Sequence, residues 1–173
     1  MLLSVKPDET TRKYGRMTTD EIPLPEAGIC NGTALRKATR RVSQLYDAVL
    51  APSGMRSTQR SLLIHIARAG TPSMGALAAA LVLDRSALAH NLKPLERDGL
   101  VRVLVDPADK RSRLVELTPL GRAKLDQSMA LWHEAQHRFE AAFGPDQAAA
   151  LRATLDVIAS PEFSQAFDAA DNG

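Results

Sequence analysis

Cysteine is almost missing from this 173-residue sequence: Cys30 stands alone, which excludes an internal disulfide framework. No run of about 18 apolar residues occurs, and this excludes a membrane-spanning helix. The N-terminal stretch MLLSVKPDETTRKYG turns charged too early to form the apolar core of a secretory signal. No repeat of fixed period appears. What is present is a single-domain length and 45% apolar residues, enough for a packed core. The expectation is a soluble cytoplasmic protein with no cofactor and no membrane partner.

The formal net charge of +2 hides a division along the chain. Residues 31–113 carry 14 Lys+Arg against 6 Asp+Glu, whereas residues 114–173 carry 4 against 9. A basic middle on a nearly neutral chain is the electrostatic footprint expected for nucleic acid. A membrane surface or an acidic protein would also suit it.

Residues 1–29 read as a flexible tail with Pro7, Pro23 and Pro25, and Met17 is an alternative start. A first helix follows, with Leu35, Ala38, Val42, Leu45 and Val49 at three-four spacing. Arg36, Lys37, Arg40 and Arg41 lie on its other faces, either as a solvated surface or as a guide for an anion. Pro52 and Gly54 end it, so residues 30–56 form helix and connection. The spacing predicts a helix over about 58–68, capped by Ser57 or Thr58. Ser73 is placed to cap a short helix over MGALAAAL, and Asp84 to cap another over RSALAHNLKPLERDG, with Gly99 as its stop. Pro94 should kink this last helix without ending it. LVRVLVD (100–106) and RLVELT (113–118) read as two strands joined by a charged turn. One long helix is expected from Thr118, with Leu125, Met129, Trp132, Phe139 and Phe143 on one stripe. A final helix spans about 145–159, and residues 161–173 read as a C-terminal tail.

Two short helices followed by a hairpin make a winged helix-turn-helix over residues 57–117, and its side chains suit duplex DNA. The second helix would enter the major groove with Arg85, Ser86, Ala87, His90 and Asn91 toward the base edges, and Lys93 beyond them. Arginine grips guanine, asparagine pairs with adenine, and alanine touches a thymine methyl. Ser73 suits a phosphate contact at a helix start. Lys110, Arg111 and Arg113 at the hairpin tip suit phosphates or a narrow minor groove, with Asp109 near enough to orient the Arg111 guanidinium. A winged helix that binds protein instead of DNA is the alternative within this fold.

The run LAAALVLDRSALAHNLKPLERDGLVRVLVDPADKRSRLVELTPLGR resembles the core of the MarR family of transcriptional regulators. The most diagnostic part is GLV…DPADKRSRLVELTPLG: the turn glycine, the D-x-R wing and the L-T-x-x-G entry to the next helix. Similarity extends from about residue 30 to about 158. It departs at His90, where many members carry a longer basic residue. The resemblance implies a mainly α (α+β) fold with a small β-hairpin wing and a dimerisation region made by the N-terminal helix and residues 118–160. It also implies a homodimer on a near-palindromic operator, a repressor in type, and a small-molecule effector pocket between dimer region and DNA-binding lobe. Tyr46, Met55, His65 and Trp132 are the candidates to line that pocket, or else plain core.

Two features suggest other chemistry. WHEAQH (132–137) contains H-E-x-x-H, in which His133 and His137 have the spacing for zinc and Glu134 would be the general base of a peptidase. Neither a cleft nor enough downstream chain accompanies it, since Glu162 is the only notable later carboxylate, so no enzyme is expected. A regulator of the same fold that senses metal through these histidines, or oxidants through Cys30, stays open.

Overall fold

A computed structural model describes residues 28–170. Most of the expected N-terminal tail, and residues 171–173, lie outside the described residues. By internal contact the chain divides into residues 1–39 and 40–173, a boundary inside the first helix. In the first unit, Gly28 turns the backbone with φ 93. Cys30 then caps helix α1 (Asn31–Leu50), its carbonyl accepting from the Ala34 N–H at 3.0 Å. On the apolar stripe of α1, Leu35 and Leu45 stay 37% and 55% exposed, whereas Leu50 is buried.

In the second unit, a 3-10 turn over Ala51–Ser53 closes on Gly54, whose left-handed backbone (φ 66) redirects the chain. Helix α2 (Ser57–Ala69) is capped from Arg56, one residue earlier than expected. Neither serine nor threonine does the capping. The Arg56 N–H donates to Gln59 Oε1 at 3.0 Å, and the Ser57 N–H donates to Asp47 Oδ1 at 2.7 Å, so two orphan donors are satisfied by carboxamide and carboxylate. Helices α3 (Met74–Ala80) and α4 (Arg85–Arg97) start at Ser73 and Asp84, whose side chains accept from Ala76 and Ala87 N–H at 3.1 and 2.7 Å. Pro94 sits inside α4 without ending it. The antiparallel strands β1 (Val101–Val105) and β2 (Arg113–Leu117) pair in the register Val101↔Leu117 to Val105↔Arg113. Leu62, Leu63, Ile66, Leu77, Leu88, Leu92, Leu95, Val101 and Val115 form one core between these elements.

The single long helix expected from Thr118 is broken. Helix α5 (Pro119–Gln127) ends at Ser128, and α6 (Met129–Phe143) begins beyond it. Ser128 is buried and its hydroxyl donates to the Leu125 carbonyl at 2.6 Å, a back-bond that disturbs the helical ladder. The same oxygen accepts from Arg60 Nε at 3.2 Å. Arg60 is only 6% exposed and has no carboxylate partner among the described residues. Its guanidinium instead meets Met129 Sδ at 3.1 Å and lies over the Trp132 ring, 4.7 Å from the centroid. Burial holds its pKa below the ordinary arginine value, with the Arg68 charge adding to the effect. The residue thus ties α2 to the start of α6.

Helix α7 (Pro145–Ile158) follows, and residues 161–169, read from sequence as tail, form a further helix α8 (Pro161–Ala169). Its start is Ser160-Pro161-Glu162: the serine Oγ accepts from the Phe163 N–H at 3.1 Å, proline occupies the first turn and the acid faces the positive end of the helix.

Candidate nucleic-acid interface

The burial of Leu88, Leu92 and Leu95 fixes which way α4 faces. At about 100° per residue, the opposite ridge is Ser86, His90, Lys93 and Arg97, all exposed. Arg85 and Ala89 lie on one flank of this ridge, and Ala87, Asn91 and Pro94 on the other. The sequence candidates therefore fall on three faces of one helix.

On the first flank the start of α3 is sewn to the wing. The Val115 N–H donates to the Pro72 carbonyl at 2.9 Å, and Ser73 bridges to Leu114. Gly75 allows Arg85 to lie close: a Cβ at that glycine would stand 3.3 Å from Arg85 Nη2. Ser73, Gly75, Arg85, Asp109, Arg111 and Arg113 line a cleft of about 470 Å³. Ser73, Arg85 and the wing arginines, far apart in sequence, thus converge. Lys110 and Arg111 are exposed, and neither makes an ion pair among the described residues.

Two wing residues are bonded to the backbone of the tip. Asp109 does not orient the Arg111 guanidinium; its Oδ1 accepts from the Arg111 backbone N–H at 2.9 Å. This is the side-chain turn that aspartate forms with a backbone donor two residues on, and Asp106 repeats it on the Ala108 N–H at 2.9 Å. Arg113 is exposed and folds back onto the tip, donating from Nη1 to the carbonyls of Lys110 and Ser112 at 3.0 and 3.1 Å. Asp109 and Arg113 shape the tip that presents Lys110 and Arg111.

On the second flank lies a larger cleft, about 770 Å³, between α4 and the start of α2. His90, Asn91 and Arg97 face Arg56, Thr58 and Gln59 across it. The α2 residues were not among the sequence candidates. Arg97 was legible in principle, since it continues the exposed ridge four residues after Lys93. Arg56 carried no signal, because nothing local pairs residue 56 with residue 97.

A two-helix turn whose second helix carries cations along its exposed ridge and on one flank, beside a basic hairpin, matches known DNA-bound proteins. The M. tuberculosis transcriptional regulator MOSR, solved in complex with DNA, superposes with a TM-score of 0.68 at 36% identity, covering 82% of this chain and 98% of that one. The multiple antibiotic resistance protein MarR of Salmonella typhimurium is 32% identical over 96 residues, 56% of this chain and 67% of that protein. The chain belongs to the MarR family. The family profile itself matches residues 53–112, from the end of the 3-10 turn through α2 to α4 and β1 to the wing tip. The repressor NicR of Pseudomonas putida is 30% identical over 95 residues, and the match spans 60% of its length. CouR, a transcriptional repressor bound to a 23-mer DNA duplex, gives a TM-score of 0.70 at 28% identity over 81% of this chain and 99% of that one.

The four effector-pocket candidates of this MarR-family protein are not gathered in one cavity. Tyr46 donates to Gln136 Oε1 at 2.9 Å and, with Leu45, Val49, Ala135, Phe139 and Phe143, lines an apolar cleft of about 450 Å³ between α1 and α6. Burial raises its pKa, with Glu140 adding. Met55 is in the core of the DNA-binding lobe. His65 caps its own helix face, Nδ1 lying 2.7 Å from the Ser61 carbonyl. Trp132 is covered by Arg60 on one side and His133 on another, 4.9 Å between ring centroids.

His133 and His137 are exposed, and no group of three His, Cys, Asp or Glu suited to a metal occurs among the described residues. Glu134 is engaged by Arg138 Nε at 2.6 Å, and that bond lowers its pKa. Cys30 is exposed, and hydrogen bonding to the Thr33 side chain lowers its pKa, with the Thr33 backbone adding to it. Among the described residues no helix is long and apolar enough to cross a membrane.

Proposed function

We propose that this MarR-family regulator is a cytoplasmic repressor that binds a near-palindromic operator as a homodimer and leaves it when a small molecule binds. The observation that carries the reading is the convergence of Arg85, Ser73 and the wing on one flank of an exposed helix. Phosphate contacts there position the protein, and the ridge Ser86, His90 and Lys93, with Arg85 and Asn91 beside it, meets base edges. The names of NicR and CouR as repressors support the direction of regulation.

The homodimer is supported by apolar surface that one protomer leaves uncovered. Leu45, Phe143, Leu155, Val157, Ile158, Phe163 and Phe167 are each 37–72% exposed. Large apolar side chains left exposed in this number suit an association surface. Two protomers so joined present two copies of α4, which must be spaced by about one turn of DNA, roughly 34 Å. An effector seated in the Tyr46 cleft between α1 and α6 would alter that spacing; the cleft has the size and lining of a small-ligand site. The function is binding, not catalysis.

Selection from a random duplex pool, followed by anisotropy with the selected sequence, tests this. The expected outcome is an inverted-repeat site bound by two chains with steep salt dependence. Recovery of no preferred sequence, or binding by a single chain, would refute it. Candidate effectors are then scored by loss of that binding.

A further inference from the structure

We propose that the cleft between α4 and the start of α2 holds the second phosphodiester strand of the duplex, with Arg56 and Arg97 as its phosphate contacts. This rests on the reading of α4 as a helix lying in a major groove. An α-helix with its side chains is about 10–12 Å across, and the groove is about 12 Å wide. A helix seated there fills it, so a phosphate strand runs along each flank. The wing-side flank has its cations in Arg85 and Arg111. The opposite strand must run along Asn91, Pro94 and the face of α2 across from them, where Arg56 and Arg97 line the cleft.

The charge pattern agrees. No carboxylate lines this cleft, and Arg56 makes no ion pair among the described residues. Its backbone is nevertheless fixed by the bond to Gln59, and its neighbour by Asp47. The guanidinium therefore starts from a rigid base with its donors unspent. Arg97 is held by Asp98, Nε to Oδ1 at 2.9 Å, with the two side chains 76% and 43% exposed. An ion pair this wet is weak, and a phosphate, which offers paired acceptors to the guanidinium fork, displaces the carboxylate. Thr58, one helical position past Ser57, adds a hydroxyl donor along the same wall. The protein thereby grips the groove from both sides, and the register of α4 is set by two strands and not by one.

The test uses the full-length protein, its selected duplex, and the variants Arg56→Gln, Arg97→Gln and Arg111→Gln. Affinity is read by anisotropy over a salt series, on intact duplexes and on duplexes with single neutral methylphosphonates. Arg56→Gln and Arg97→Gln should each weaken selected and unrelated duplexes alike, and lower the slope of log K against log salt by about 1.8, since each substitution removes one phosphate contact from both chains of the dimer. Within each half-site, Arg56→Gln should also abolish sensitivity to a neutral linkage at one phosphate of one strand, and Arg111→Gln at one phosphate of the other. Parental affinity and slope in both the Arg56 and Arg97 variants would overturn the second-strand clamp while leaving DNA binding intact. Loss of sensitivity on the same strand of the half-site as Arg111→Gln would also overturn it. Failure of the parent protein to bind duplex would instead remove the reading on which the clamp rests.

Discussion

Replacing Gly121 by alanine should be among the most damaging single-methyl changes in this protein. Gly121 lies in the first turn of α5, against Leu100 just before β1, and is buried. A Cβ there would stand 1.9 Å from the Leu100 carbonyl oxygen and 2.8 Å from its carbon. Reaching even 3.0 Å requires the two backbones to part by about 1.1 Å. They are not free to do so. The Leu100 carbonyl accepts from the Thr118 N–H at 3.1 Å, and the Thr118 hydroxyl donates to the Gly99 carbonyl at 2.6 Å while accepting from the Gly121 N–H at 3.0 Å. On the far side, Val101 is paired with Leu117 in the sheet. Overpacking of this kind costs about 1–3 kcal/mol, and about two hydrogen bonds in the knot are lost at about 1 kcal/mol each. The sum, about 3–5 kcal/mol, is a large share of a typical domain's stability. At about 2–4 °C per kcal/mol for a chain of this size, Tm should fall by about 10 °C. Urea unfolding followed by circular dichroism, at one fixed protein concentration because association contributes, measures the difference. Gly121→Ala within about 1 kcal/mol of the parent would refute the claim that this junction cannot yield.

Gly75→Ala should behave oppositely, since its new methyl meets only the mobile end of Arg85 at 3.3 Å. Stability should hold or rise by a few tenths of a kcal/mol while duplex affinity drops severalfold; unchanged affinity would show that Arg85 has room to spare. Val82 adopts φ 52 in the turn between α3 and α4, and its side chain is 69% exposed. Left-handed backbone costs an L-residue about 1–2 kcal/mol, so Val82→Gly should raise the urea midpoint, by about 1 kcal/mol after the entropy of glycine is deducted; a lower midpoint would count against strain. Cys30, with its pKa lowered by Thr33, should reach half-maximal alkylation rate at a pH below that of free cysteine. Coincident profiles, or no change on Thr33→Val, would remove that effect.

Much of the fold was legible because its signals are local. Ser73, Asp84 and Gly99 announce helix ends through their own side-chain or backbone chemistry. The two strands announce themselves by branched residues around a charged turn. Ser73, Arg85 and Arg111, which residue type and position within a helix-turn-helix single out, line one cleft. The remainder depends on partners distant in sequence. The stripe Leu125, Met129, Trp132 runs through Ser128 without a break, and only Arg60, from another helix, shows why the serine faces inward. Arg113 has the same charge as Arg111, yet backbone carbonyls capture it. Asp109 lies two residues from Arg111 either way, and only coordinates distinguish a bond to its backbone from one to its guanidinium. The capping signature Ser160-Pro161-Glu162 is present in the sequence, but α8 is short and buries none of its residues, Phe163 and Phe167 included, so no core contact marks it.

The Arg60 contact has a practical consequence. Trp132 is the single tryptophan of the chain, and its indole is pressed against a charged guanidinium carried by α2. The tryptophan fluorescence of the protein therefore comes from one place, the joint between the helices that carry DNA recognition and those that lead away from it. A cation on the face of an indole shifts and quenches its emission, so any motion of α2 against α6 changes colour or intensity. DNA binding and release are in this way observable on the unlabelled protein, and a silent tryptophan during release would mean that this joint moves as one piece.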